Sequence, residues 1–151
     1  MRSLAGPDDA APLVRRLSSV RPDTPARWGR MSAHQMICHL ADAFRVARGE
    51  REATSVSGVL NRTVVKWIAL YAPLHWPAGI RTVPEVDQQI AGTGPGDFAR
   101  DVADVVTMLE AMAAAQRIPA PAHPIFGPLS ERAWRRWAWL HTDHHLRQFG
   151  A

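Results

Sequence analysis

Cysteine and lysine are nearly absent from this chain of 151 residues. The lone cysteine, Cys38, excludes an internal disulfide and fits a reducing, cytoplasmic setting. Lys66 is the one lysine among 18 Lys and Arg, so the formal charge of +4 is carried by arginine. Those arginines are scattered, as a GC-rich genome tends to write them. With no basic block, aromatic-basic stripe or reading helix, nucleic acid is not an expected partner. No stretch reaches about 18 uncharged apolar residues, so none is expected to span a membrane. The opening MRSLAGPDDAAP lacks the apolar run of a signal peptide. Residues 92–96, GTGPG, lack the Lys-Ser/Thr ending of a phosphate loop and follow no strand. What is present, 46% hydrophobic and 21% charged residues, suffices for a single globular domain over residues 1–151.

Helical periodicity accounts for most of the chain. A short first helix is predicted over 8–20, with Leu13, Val14, Leu17 and Val20 as its stripe. Ser32 and Gln35 form a capping box that starts a strong helix, running to about Ala47 or Arg48. Its apolar face is Met36, Ile37, Leu40, Ala43, Phe44 and Ala47, with Cys38 off the stripe and His34 in the first turn. Residues 57–72 read as a third helix, apolar on most sides, expected to pack between others or against a second chain. The Pro-rich segment 73–86 must be irregular, and His75 and Trp76 in it are candidates for a pocket mouth. Asp97 caps a fourth helix to about Gln116, buried through Phe98, Val102, Val105, Val106, Leu109, Met112 and Ala113. Residues 117–128 return in an extended, Pro-rich path. The class is all-α, and a four-helix bundle with long crossovers behind a short N-terminal helix is the expected packing.

The last stretch, 123–150, carries the chemistry. After the HPIFGP turn, Ser130 caps a helix that Gly150 stops. Trp134, Trp137, Ala138, His141, His145 and Phe149 fall on one face at about 100° per residue. His141 and His145 thus point at the core one turn apart, where unpartnered imidazoles are costly. Either hydroxyls and carbonyls satisfy them, or the HxxxH pair presents two nitrogens to one metal ion. His39 lies on the flank of the second helix with Asp42 at i+3, as a ligand with a supporting carboxylate would, or as a surface ion pair.

The blocks SAHQMICHLADAF, HPIFGPLSERAW and HTDHHLRQFG resemble the DinB/YfiT-like metal-binding superfamily, in particular a branch known only as a domain of unknown function. The similarity runs from about Trp28 to Gly150. In that superfamily a His from an HL pair joins two from HxxxH on the last helix. The resemblance therefore implies His39, His141 and His145 as ligands. His144 is the rival of His145, but lies on the flank of the stripe. His145-Leu146-Arg147-Gln148 departs from the HRGQ of other branches, which weakens the transfer of any particular substrate chemistry.

Three histidines would leave a divalent ion, zinc or nickel, with an open position. An ion there could activate water, as in a hydrolase, or deliver a thiolate. The resemblance implies the second, with a small-molecule substrate, since some superfamily members are transferases or isomerases using low-molecular-weight thiols as cosubstrates. The alternative is a storage or stress-linked metal-binding bundle without catalysis. Asp42, Asp143 and His144 are the candidate bases. Trp134 and Trp137 either wall the cleft or belong to the core. A homodimer is expected from the apolar third helix and six tryptophans.

Overall fold

The computed structural model describes residues 2–119 and 122–151. Within them the chain folds as five α-helices: α1 (Pro7–Leu17), α2 (Ala33–Ala47), α3 (Lys66–Tyr71), α4 (Phe98–Ala114) and α5 (Glu131–Gln148). A π-helical turn, Asn61–Val65, leads into α3, and a 3₁₀ turn, Pro84–Val86, lies between α3 and α4. The described residues contain no strand, only an isolated bridge between His123 and Gly127. The predicted extended path over 117–128 is irregular where it is described; residues 120 and 121 lie outside the described set.

Local signals explain where the helices start. The Ser32 hydroxyl accepts the Gln35 N–H at 3.1 Å, and Gln35 Oε1 accepts the Ser32 N–H at 2.9 Å. Asp97 Oδ1 caps α4 through the Arg100 N–H, and the Ser130 hydroxyl caps α5 through that of Ala133. At the far end of α4 the Arg135 guanidinium donates to the carbonyls of Met112, Ala113 and Ala115. A cation there satisfies orphaned acceptors, complements the helix dipole and ties α4 to α5.

Helix α5 packs on all four other helices, and α2 is the most enclosed of those around it. Helix α2 packs on α4 and α5, while α1 packs on the same two helices from elsewhere. All six residues of the predicted α2 face are buried. So is Cys38, which the sequence places off that face, because α2 is enclosed on more than one side. Of the stripe expected for the first helix Leu13, Leu17 and Val20 are buried and Val14 is half-buried, although the helix ends at Leu17 and Val20 lies in the turn after it.

The third helix differs most from expectation. It packs on α5 alone among the helices, and Leu70 is its one fully enclosed side chain. Trp67 remains 63% exposed and Val59, just upstream, 83%. An apolar residue on every side of a helix calls for cover on every side. This chain covers one.

Candidate metal centre

Helix α2 delivers His39 and helix α5 delivers His141 and His145 to one point. Each offers a nitrogen, and the three nitrogens lie within 4.8 Å of one another. Ring centroids are 5.1 Å apart for His39 and His141, and 4.7 Å for each pair involving His145. The Nε2 atoms of His39 and His141 face each other at 3.1 Å.

Two of these rings have their tautomer fixed from behind. A carbonyl oxygen only accepts, so the 2.6 Å contact between His39 Nδ1 and the Val86 carbonyl puts the proton on Nδ1. His145 Nδ1 lies 2.8 Å from Gln148 Oε1. The orientation of that amide is set at its other end, where Gln148 Nε2 donates to the Trp28 carbonyl at 2.8 Å. Gln148 therefore accepts from His145. Both rings turn a bare Nε2 away from these partners, the arrangement that prepares an imidazole for a metal. His141 is held differently: Trp137 stacks on it at 4.9 Å with 13° between planes, and its Nδ1 is buried without a partner among the described residues.

Burial depresses the pKa of all three rings. Desolvation is the main cause, opposed at His39 by the Val86 carbonyl and reinforced at His141 and His145 by neighbouring imidazoles. They are neutral near pH 7, so their lone pairs are free.

The carboxylates near the site face elsewhere. Asp42 receives Thr93 N–H and hydroxyl, Gln88 and the guanidinium groups of Arg45 and Arg51. It holds the loop after the 3₁₀ turn, and the partner of His39 is the Val86 carbonyl instead. Asp143 is paired with Arg16 at 2.6 Å and Arg147 at 3.0 Å. His144 packs near the rings of Trp28 and Trp76, its Nδ1 is buried without a partner among the described residues, and burial lowers its pKa to about 4. His34, Cys38 and Asp101 make a second group of ligand-type atoms. There Asp101 Oδ2 already accepts from His34 at 2.7 Å and from the Gly96 N–H. Burial and Asp101 push the Cys38 thiol up to about 11, so it stays protonated.

A cavity of about 460 Å³ adjoins the three histidines. Trp76, Trp134, Trp137 and Phe126 give it aromatic walls, and Ile68 and Val86 aliphatic ones. His75 and His144 also line it, and no described carboxylate does. Arg81 is its one formally charged lining residue among those described.

Residues 6–151 match a family described as protein of unknown function, DUF1569. The chain belongs to the DUF1569 family. No curated protein and no solved structure matches it. In this DUF1569 chain three contributors to the site carry little sequence signal. Val86 acts through its backbone, which no side-chain pattern reveals. Gln148 sits at i+3 from His145, a spacing that does place it beside the ring. His123 belongs to a tight turn, and only the folded turn shows that its ring lines the cavity.

Proposed function

We propose that the chain is a metal-dependent enzyme, a transferase or hydrolase acting on an apolar small molecule, with His39, His141 and His145 holding one divalent ion. The observation that carries this reading is the pair of imidazoles locked as Nδ1–H tautomers beside a cavity. An all-nitrogen donor set suits zinc or nickel, and a His₃ set leaves a position open. Without an ion, the 3.1 Å approach of two Nε2 atoms would require His141 to donate to His39. The residues fit the group.

A bound ion would supply Lewis acidity at that position, polarising a substrate oxygen or taking up the thiolate of a low-molecular-weight thiol. The chain's own part is positioning. Val86 and Gln148 fix two ring orientations, Trp137 braces the third, and the aromatic wall keeps water from the reacting groups. With Asp42 and Asp143 engaged elsewhere, His144 is the residue we assign to carrying a proton, since its Nδ1 has no fixed partner. A storage module has no use for an adjoining cavity, and the 460 Å³ beside the histidines favours the enzyme. The same reading makes the chain a DinB/YfiT-like four-helix bundle, supported by the contact of α2 with α5 and by HxxxH on the last helix.

Metal analysis of purified chains after zinc loading tests the ligand set. The parent should retain about one ion per chain, and His144→Ala should too. His145→Ala should lose most of it, because two imidazoles and water make a weaker site. The reverse pattern sinks the ligand assignment; retention by both variants sinks the metal reading.

A further inference from the structure

His123 plays no part in the cluster, yet its ring lines the same cavity. It opens a turn closed by two backbone hydrogen bonds with Gly127, at 2.8 and 2.9 Å. Inside the turn its Nδ1 accepts the N–H groups of Ile125 at 3.1 Å and Phe126 at 3.2 Å. A nitrogen receiving two amide protons carries none itself, so the neutral ring keeps its hydrogen on Nε2. Burial also pushes the pKa down to about 3, so the ring is uncharged at neutral pH.

Among the described residues the Nε2–H has no match. Phe126 stacks on the ring at 4.7 Å, Trp137 stands edge-on at 5.1 Å and Trp134 lies at 5.4 Å. Trp134 can offer only a donor, and its own N–H is buried without a partner. Among the described residues no acceptor is hydrogen-bonded to His123 Nε2. A fixed-tautomer donor at the wall of a hydrocarbon-lined cavity favours any ligand that brings it an acceptor. It does not favour an anion there. The ring has no charge to offer.

We propose that the substrate is an apolar molecule bearing an uncharged oxygen acceptor, of ketone, ester or amide type, which the Nε2–H of His123 binds one Trp137 ring away from His141. This rests on the cavity being the substrate site of the function proposed above, and adds its substrate class. His123 is then a specificity residue at the end of the ligand remote from the cluster.

Acetophenone and α-methylstyrene serve as probes, because they share a shape and differ in C=O against C=CH₂. Each is titrated into the full chain, metal-free and zinc-loaded, and followed by long-range ¹H–¹⁵N spectra of the histidine rings. His123 should read as the Nε2–H tautomer, and acetophenone should shift its Nε2–H resonance more than α-methylstyrene does. His123→Asn keeps an acceptor, Oδ1, for the turn amides, and its shorter side chain leaves no N–H in the place of the His123 Nε2–H. In that variant the affinity for acetophenone relative to α-methylstyrene should fall about fivefold, the worth of one ordinary hydrogen bond. Retained α-methylstyrene binding shows that the variant's cavity is intact. The proposal is overturned by an Nδ1–H tautomer, by equal shifts from the two probes, by an unchanged affinity ratio in His123→Asn, or by binding of neither probe at millimolar concentration. Failure of the metal reading looks different: zinc is not retained, while the probe results on metal-free chain stand.

Discussion

Gln148 Oε1 accepts a hydrogen bond from His145 Nδ1–H while its Nε2 donates one to the Trp28 carbonyl, so one side chain links a candidate ligand to the loop before α2. Replacing it with Leu removes the partner and leaves α5 helical. Zinc affinity should then fall by about 10- to 100-fold, as for other residues that orient a metal-bound histidine. Competition with a chromophoric chelator measures this. Gly29 is the companion site, with φ at +81° and the position of an added Cβ only 2.7 Å from Gln148 Nε2. Gly29→Ala should cost about 1 kcal/mol in urea unfolding, and should weaken zinc in the same direction as Gln148→Leu. An affinity unmoved by either change would detach Gln148 from the site.

Acid should destabilise the metal-free chain early. The folded pKa of His123 lies near 3 against 6.5 for a free side chain. Between those values the unfolded chain binds a proton that the folded chain refuses, so stability rises with pH through this window. The contribution is complete above about pH 6.5 and is lost progressively as pH falls toward 3. One such group is worth at most about 1.4 kcal/mol per pH unit. Urea unfolding of the metal-free protein across pH 4–7 should show at least that slope, because His39, His141, His144 and His145 are depressed in the same direction. His123→Asn should reduce it by about the share of one group. An equal slope in the variant would show that His123 takes up its proton without unfolding.

Two copies of the chain are expected to associate through the face that α3 leaves bare. Val59, Leu60, Val64, Trp67 and Ile68 are all exposed on this short segment, more apolar surface in one place than a monomer usually presents. Light scattering should give twice the 16.7 kDa of one chain, and Val64→Asp with Trp67→Asp should return it to one. A monomeric mass for the parent at micromolar concentration would remove the dimer.

Short-range patterns were the readable part of the sequence. The Ser32–Gln35 box and the Ser130 cap act within four residues, and the helices start where those signals stand. The i, i+4 spacing of His141 and His145 likewise fixes a common face whatever surrounds it. What depends on other segments stayed hidden. Whether an apolar helix is covered is a property of its neighbours, and α3 has few. The partner of His39 looked like Asp42 because one turn of helix brings them near. Thr93, Gln88, Arg45 and Arg51 claim that carboxylate, while a backbone oxygen from the 3₁₀ turn reaches the ring. The Asp97 and Ser130 caps are legible as letters; the tautomer of His123 is a consequence of how five residues close a turn.

The 3.1 Å approach of His39 and His141 joins positions 102 residues apart. During synthesis α2 leaves the ribosome long before α5, and until then His39 has neither HxxxH partner. A chain not yet extended to α5 can offer an ion one imidazole from this centre, and so has little grip on it. Closing so long a loop is also slow relative to forming the helices themselves. The centre therefore forms only after α5 has joined α2, and until then Trp76, made about 55 residues before α5, has neither Trp134 nor Trp137 to close the cavity with it.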